Sequence, residues 1–186
     1  MNSMVENILP KGWGLVRLEE LSNISIGKTP PRANKEFFLG KKVWLSIRDI
    51  KGDVVSISNE QITDKAIINS NMKIISKGTL LMSFKLTLGR TAFAGCDLYT
   101  NEAIASLPIK DETVLDKYFL KYALATIDIE KEVDNAVKGK TLNKQKLKNL
   151  EIPLPPLEEQ KRIVSKIDNL FAKIDKAISL TEESLK

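Results

Sequence analysis

The chain of 186 residues contains no histidine and only one cysteine, Cys96. Without histidine there is no histidine general acid or base, no Ser–His or Cys–His nucleophile, and the commonest metal ligand is missing. A single cysteine cannot form an internal disulfide or a thiolate metal cluster. The sequence therefore offers no candidate catalytic residue and no candidate metal ligand set, and it excludes histidine-based catalysis and a thiolate metal cluster.

Long apolar runs and complete phosphate-binding loops are also missing. No segment approaches the roughly 20 apolar residues of a membrane span, and residues 1–13 hold no apolar stretch typical of a signal peptide. Residues 27–29, Gly-Lys-Thr, match only the end of a Walker A motif. Ser22 stands where the motif has its first glycine, and Pro30 follows where the motif continues into a helix. We therefore expect a soluble, cytoplasmic protein and interpret this tripeptide as a chance match.

Charge is distributed unevenly along the chain, which has a formal net charge of +5. Residues 1–150 carry 23 basic and 17 acidic side chains, whereas residues 151–186 carry six basic and seven acidic ones. The positive excess thus belongs to the first 150 residues. Such an excess indicates a polyanionic partner without identifying it.

Short β-like segments separated by turn residues fill residues 13–108, and helical periodicity begins at residue 113. Asn143 is a candidate N-cap for a short helix over residues 144–150. The pattern predicts an α+β fold, with a β-rich domain over residues 1–152 and one long coiled-coil helix over residues 153–186. Strands are predicted at residues 15–18, 24–26, 43–47, 54–58, 73–75, 79–84, 91–94 and 102–108, and helices at 18–21, 64–68, 114–123 and 127–137.

The long C-terminal helix is the most regular part of the sequence. Pro156 can open it, since proline is accepted in the first turn, and Glu158 and Glu159 favour the positive end of its dipole. Apolar residues follow a seven-residue repeat for about four heptads, interrupted at Gln160 and Thr181. A helix about 45 Å long needs a partner helix, although an amphipathic helix folded onto its own domain gives the same periodicity. The predicted dimerisation residues are Val164, Ile167, Phe171, Ile174 and Ile178.

Basic and hydroxyl side chains cluster in the predicted loops, where a rigid β scaffold usually carries its binding residues. Arginine can read guanine, asparagine can read adenine, and lysine with hydroxyl groups can hold phosphates. Polar loops are common in any protein, so the set and not any single residue indicates nucleic-acid binding. The candidate DNA-binding residues are Lys28, Thr29, Arg32, Arg48, Lys85, Arg90, Lys138, Lys140, Asn143 and Lys144.

Several motifs together resemble the specificity subunit of type I restriction–modification systems. They are Leu-Pro-x-Gly-Trp at residues 9–13, Gly-Lys-Thr-Pro at 27–30, the segment SFKLTLGRTAF at 83–93, Asn-Glu-Ala at 101–103, and above all GKTLNKQKLKNLEIPLPPLEEQKRIV at 139–164. The resemblance covers nearly the whole chain. The family usually contains two target-recognition domains, each followed by a long helix. This sequence has one of each and resembles a half-subunit, natural or truncated.

The resemblance implies that the β-rich domain recognises one half of a split double-stranded DNA target. It also implies that the helix acts as a spacer, packs antiparallel against an equivalent helix and docks methyltransferase subunits, while a separate restriction and translocation subunit joins the complex. S-adenosylmethionine, ATP and magnesium are then expected only on those partner subunits. For a half-subunit we expect a twofold-symmetric homodimer whose two identical domains have their centres about 13 base pairs apart and read a palindrome with an unread centre.

Other classes of function remain open at the level of the sequence. A free-standing dimeric DNA-binding regulator would bind its site without any methyltransferase partner. A nuclease or methyltransferase would show activity that depends on a metal or a methyl donor. A coiled-coil scaffold with a basic domain would bind DNA without sequence preference, with an affinity that falls uniformly with salt.

Overall fold

The computed structural model describes residues 9–85, 88–127 and 143–184. In those residues strands and short helices precede one long helix, which confirms the predicted α+β fold class. The strands and helices are β1 (Gly14–Arg17), α1 (Leu18–Leu21), β2 (Ser25–Ile26), β3 (Lys42–Leu45), β4 (Val54–Val55), β5 (Glu60–Ile62), α2 (Asp64–Asn69), β6 (Leu80–Ser83), β7 (Thr91–Ala94), β8 (Tyr99–Thr100), β9 (Ile104–Leu107), α3 (Lys117–Thr126), α4 (Lys144–Lys148), β10 (Glu151–Leu154) and α5 (Leu157–Ser184).

The described strands form three sheets. The central sheet has five strands in the order β2-β9-β6-β7-β4, and a second sheet has the order β5-β3-β8. Strands β1 and β10 pair with each other alone. The β4–β7 and β3–β8 pairs are parallel, whereas the other pairs are antiparallel.

The central sheet is buried on both faces, which explains why β6 and β9 are continuously apolar or small. Alternate residues of β6 serve different clusters, because neighbouring side chains of a strand point to opposite faces. Leu80 and Met82 join the cluster under α1, α3 and α4, whereas Leu81 joins a cluster with Leu45 of β3. The domain is therefore layered, with helices on one side of the central sheet and the three-stranded sheet on the other.

Strand β10 joins the chain ahead of the long helix to the start of the domain. Val16 lies opposite Ile152, and Leu15 lies opposite Pro153. Proline is accepted there because β10 has only one neighbouring strand and an open edge. The strand crosses the predicted boundary between residues 152 and 153, and the division into two domains stays a prediction.

The predicted bounds of helices and strands are correct where capping residues or turn residues mark the ends of an element. Helix α1 and strand β7 have the predicted bounds, and the Asn143 side chain caps α4 by accepting from the Lys146 N–H at 2.9 Å. The predicted strand at residues 54–58 shortens to Val54–Val55, and the one at 73–75 is only a single bridge from Ile75 to Leu98. Strands β5, β8 and β10 were not predicted, and the predicted helix at 127–137 lies outside the described residues except for residue 127.

None of the helices in the described parts of the chain is both long enough and apolar enough to cross a lipid bilayer.

Candidate nucleic-acid interface

A wide, basic cleft of about 1060 Å³ opens at the β2 edge of the central sheet. Its walls come from α1, β2, the segment 71–75, the end of β6 and α4. Among the described residues, one acidic side chain, Glu19, lines it together with six lysines, which are Lys28, Lys73, Lys85, Lys110, Lys144 and Lys148. The cleft therefore collects much of the positive excess that the sequence assigns to this domain.

The carboxylate of Glu19 is already ion-paired inside the cleft. Lys148 forms an ion pair with the Glu19 carboxylate at 3.2 Å, and Lys110 donates to the Glu19 carbonyl oxygen at 2.6 Å. Lys73, Lys85 and Lys144 form no ion pair with any residue that the structure describes. These three ammonium groups leave a net positive cleft, which is suited to an anionic backbone.

Residues 27–29 reach the rim of the cleft through a close crossing over strand β8. A Cβ on Gly27 would lie 2.2 Å from Thr100 Oγ1 and 2.3 Å from the Asn101 carbonyl oxygen, so only glycine fits. The Lys28 N–H then bonds the Thr100 carbonyl at 2.8 Å, and the Trp44 indole N–H donates to the Lys28 carbonyl at 3.0 Å. These contacts fix the backbone that presents Lys28.

The side chains of residues 28 and 29 are themselves held by neighbouring loops. Lys28 Nζ donates to the carbonyl oxygens of Ser70 and Asn71 at 3.1 and 3.0 Å, and Thr29 donates to the Glu102 carboxylate. Lys28 lines the cleft in this arrangement. Thr29 lies just outside the cleft, beside Lys28.

Helix α4 supplies the opposite wall of the cleft. Its single buried residue, Leu147, packs into the helical side of the core, so the lysines of the helix stay near the surface. Asn143 caps the helix and, with Lys144, lines the cleft. Four predicted DNA-binding residues therefore meet in one cleft, namely Lys28, Lys85, Asn143 and Lys144.

Arg32 has a different environment from the cleft lysines. Its guanidinium forms a two-pronged contact with Glu60, including a hydrogen bond of 2.9 Å from Nη2 to Oε2. The same group lies 4.4 Å from the ring centroid of Phe38 and 5.0 Å from that of Trp44. The hydrogen bonds from Arg32 hold the pKa of the Glu60 carboxyl below its ordinary value. Arg32 thus ties a loop to the three-stranded sheet.

The other predicted residues lie away from the cleft. Arg48 is exposed on a 3₁₀ turn that the buried carboxylate of Asp49 stabilises. That carboxylate accepts from the N–H and hydroxyl of Ser46, both at 2.7 Å, and from the side chain of Asn59 at 2.7 Å. Arg90 is exposed on the loop between β6 and β7, beyond the cleft lining. Lys138 and Lys140 lie outside the described residues.

The first turns of α5 pack onto the domain. Ile163 and Val164 contact the core cluster under the central sheet, and Gln160 is completely buried. Tyr122 of α3 donates a hydrogen bond of 2.5 Å to Asp168 of α5, and this bond raises the pKa of the tyrosine to about 12. The predicted dimerisation residue Val164 is therefore in contact with its own domain.

The second half of α5 continues the same apolar seam with exposed side chains, although Phe171 still lines a pocket with Tyr122 and Ala125 of α3. Phe171 and Ile174 are each 52% exposed, and Ile178 is 51% exposed. Ile167, one turn before Phe171, is half-buried. Three of the five predicted dimerisation residues therefore form an open apolar surface on the projecting part of the helix.

Sequence reasoning did not single out Lys73, Lys110 and Lys148 as cleft residues. They are far apart in the sequence, and only the pairing of distant segments brings them together. Gln160 interrupts the heptad pattern, and the hydrogen bonds of its buried side-chain amide to backbone groups of the domain explain why a polar residue stands at that seam position.

The profile of the family described as type I restriction modification DNA specificity domain matches residues 10–182. The MjaIX type I specificity subunit of Methanocaldococcus jannaschii is 28% identical over an alignment of 163 residues, with 84% of this chain and 37% of that protein covered. The HindI specificity subunit of Haemophilus influenzae is 27% identical over 186 residues, with 94% of this chain and 39% of the relative covered.

Solved structures give the same result. One chain from a structure of a type I R-M system superposes with a TM-score of 0.73 at 29% identity, covering 96% of this chain and 44% of that one. The HsdS subunit of Thermoanaerobacter tengcongensis superposes with a TM-score of 0.68 at 29% identity, covering 90% and 39%. The chain thus spans less than half the length of the relatives that it matches. Because the family profile covers nearly all of its residues, the chain belongs to the type I restriction modification DNA specificity domain family.

Proposed function

We propose that this chain is the DNA-recognition part of a type I restriction–modification complex and that its domain, residues 1–152, reads one half of a split target. The observation that carries the proposal is the basic cleft, in which six lysines surround one glutamate that is already paired. Lysines contact phosphates and position the protein on duplex DNA. Loop residues at the rim, with Asn143 and Thr29 among them, then contact base edges.

The proposal includes a homodimer of half-subunits that pairs through the exposed seam of α5. Two helices packed along their length about a perpendicular twofold axis run antiparallel. Pairing centred on Ile174 puts the two Gln160 residues, where each helix joins its domain, about 42 Å apart at 1.5 Å per residue. This distance corresponds to about 12 base pairs at 3.4 Å each. Identical domains in this arrangement read an inverted repeat with an unread centre.

We further propose that the chain has no catalytic activity of its own and that methyltransferase and restriction subunits dock on the helix region, residues 153–186. The chain contains no histidine and one cysteine, Cys96, and this chemistry favours recognition over catalysis. Its membership in the specificity-domain family supports the same role. The methyl-transfer and cleavage reactions would then belong to the partner subunits.

The test is selection of bound sequences from random duplex DNA, with and without a co-expressed type I methyltransferase subunit. We expect a split inverted repeat, with half-sites about one helical turn apart. Recovery only with the partner identifies an assembly subunit, whereas recovery with the chain alone favours a free-standing regulator. Absence of any consensus under both conditions would contradict sequence recognition.

A second experiment tests the cleft itself. Lys73→Gln, Lys85→Gln and Lys144→Gln are combined and compared with a control of equal charge change on α5, Lys161→Gln, Lys166→Gln and Lys173→Gln. Each lost phosphate contact lowers the slope of log affinity against log salt by about 0.9. We therefore expect the cleft variant to lose two to three units of slope in anisotropy titrations, and the control to keep its slope. Equal losses in both variants would contradict the assignment of the cleft.

A further inference from the structure

Gln160 is a completely buried polar residue on a helix whose outer faces are exposed. It occupies a seam position of α5, where the heptad pattern calls for an apolar residue. A polar group at such a position is buried at a cost unless each of its donors and acceptors is paired. The pairing of Gln160 therefore indicates what this residue does.

The side-chain amide oxygen and both amide N–H donors of Gln160 form hydrogen bonds. The side-chain oxygen accepts from the Asp116 N–H at 2.9 Å. The side-chain nitrogen donates to the carbonyl oxygens of Val114 and Pro155, both at 2.8 Å. An amide group offers two N–H donors, so both are used. One side chain thus joins the first turn of α5 to the segment that enters α3 and to the segment that leaves β10.

The hydrogen-bond partners of Gln160 fix the orientation of α5 relative to α3. Asp116 is the N-cap of α3 and accepts from the N–H groups of Tyr118 and Phe119 at 2.8 and 2.9 Å. The orientation of α3 and that of α5 are therefore fixed against each other through neighbouring backbone atoms. Apolar packing at Ile163 and Val164 holds α5 on the domain, but such packing is less directional than hydrogen bonds.

We propose that Gln160 is a positioning residue that fixes the direction of α5 on the recognition domain and thereby the number of base pairs between the two half-sites. The part of the inference that concerns half-sites rests on the proposed function. Gln160 contacts no DNA in this role and acts through the geometry of the helix.

A small rotation at this joint is large on the scale of DNA. From Gln160 to Ile174, the centre of the proposed dimer contact, the helix is about 21 Å long at 1.5 Å per residue. A swing of about 10° at Gln160 displaces Ile174 by about 4 Å, which exceeds the rise of one base pair, 3.4 Å. Two copies double the displacement. If the contact between α5 and the domain lacked directional hydrogen bonds, the dimer would therefore bind targets with several spacer lengths.

The test uses the full chain with Gln160→Met, which keeps the length of the side chain and removes its hydrogen bonds. Asn169→Met is the matched control, because Asn169 is exposed and lies nine residues, or two and a half turns, further along on the opposite face of α5. Both variants are bound to duplexes that carry the selected half-sites with spacers from three base pairs shorter to three longer.

For the unaltered chain and for Asn169→Met we expect one preferred spacer, with neighbouring lengths bound about tenfold more weakly, because simultaneous engagement demands matching geometry. For Gln160→Met we expect at least three adjacent lengths to bind within about threefold of each other. Base preference inside each half-site should stay the same. A single sharp spacer preference in Gln160→Met would overturn the positioning role.

A measurement without DNA separates this inference from the proposed function. Spin labels at Lys51→Cys and Glu183→Cys, with Cys96→Ser and an excess of unlabelled chain, report the distance from the domain to the end of α5. We expect a wider distance distribution for Gln160→Met than for Asn169→Met. Equal widths would contradict the inference even if the DNA target is found, and absence of any split target would contradict only the proposed function.

Loss of folding is controlled with a milder variant, Gln160→Glu, which keeps the acceptor for the Asp116 N–H and loses the two donors. We expect it to remain folded and to widen the spacer preference less than Gln160→Met. Unfolding of both variants would show that Gln160 acts through stability, and the positioning role would then be wrong.

Discussion

The two halves of α5 share one sequence pattern and have different surroundings. In the first half, Ile163 and Val164 pack against the core of their own domain, and Gln160 is completely buried. In the second half, Phe171, Ile174 and Ile178 remain about half exposed although they continue the same seam. A heptad pattern therefore specifies an apolar face without specifying what covers it.

The difference also separates two kinds of contribution to the protein. Burial of the first half contributes to the stability of a single chain, because its apolar surface leaves water when that chain folds. The exposed second half contributes less of this kind until a partner covers it. Substitutions in the two halves should thus change different measured quantities, stability in the first and association in the second.

The largest effect is expected from charges on the exposed half. Ile174→Asp combined with Ile178→Asp places carboxylates in the proposed helix contact and should convert the dimer to a monomer in light scattering. Affinity for a split target should fall by about a hundredfold or more, because the second half-site is no longer bound intramolecularly. Asn169→Asp adds a carboxylate on the opposite face and should leave the dimer intact. A dimer that survives the double substitution would move the contact away from this seam.

A charge on the packed half should act on folding instead. Val164→Asp brings a carboxylate without a partner against the core cluster and should lower the free energy of unfolding by about 2–3 kcal/mol. For a chain of this size the melting temperature should fall by roughly 5–10 °C. Ile178→Asp should change the free energy of unfolding of the monomer by less than about 0.5 kcal/mol. Equal changes in calorimetry would remove the distinction between the two halves.

The smallest effect concerns the hydrogen bond that marks the end of the packed half. Tyr122→Phe removes the bond to Asp168 and should lower the free energy of unfolding by about 1 kcal/mol at pH 8. The bond raises the pKa of Tyr122 from 10.0 to about 12, because it requires the protonated phenol. Its contribution is therefore complete below about pH 10 and is lost as pH rises through about 12.

The measurement is chemical denaturation of both proteins between pH 8 and pH 12. The difference between the unaltered chain and Tyr122→Phe should shrink over the upper two units of that range. Lysine titration affects both proteins alike and cancels in the comparison. A difference that stays constant to pH 12 would contradict the assigned hydrogen bond.

Residues that cap helices or break helices and strands predicted several elements correctly. Asn143 was identified as a cap because short polar side chains pair with free N–H groups at helix starts, and that pairing needs no distant partner. The irregular backbone at residues 27–32 also reflects local residue types, because one glycine and two prolines break both helices and strands. Two-residue strands such as β8 were missed, because so short a segment becomes a strand only through its neighbours.

The candidate site was predictable in its chemistry and less so in its membership. Charge and loop position predict Lys28, Lys85, Asn143 and Lys144 as binding residues, and these four line one cleft. The same criteria predict Arg32, whose guanidinium instead contacts Glu60, Phe38 and Trp44. Sequence separation hides such partners, since residue 60 reaches residue 32 only through the pairing of β5 with β3.

By itself the sequence determined the α+β class, the positive domain and the apolar seam of α5, because composition and periodicity follow directly from residue order. The family followed from its motifs and from the profile match over residues 10–182. Only the tertiary structure decided which lysines share a cleft. It likewise decided that Gln160, at a seam position of the heptad pattern, is buried in the domain with its side-chain amide hydrogen-bonded. It also decided where α5 stops being part of the core. The physical reason is that burial and pairing depend on contacts between segments far apart in the chain, and those contacts exist only after the sheets and helices have packed.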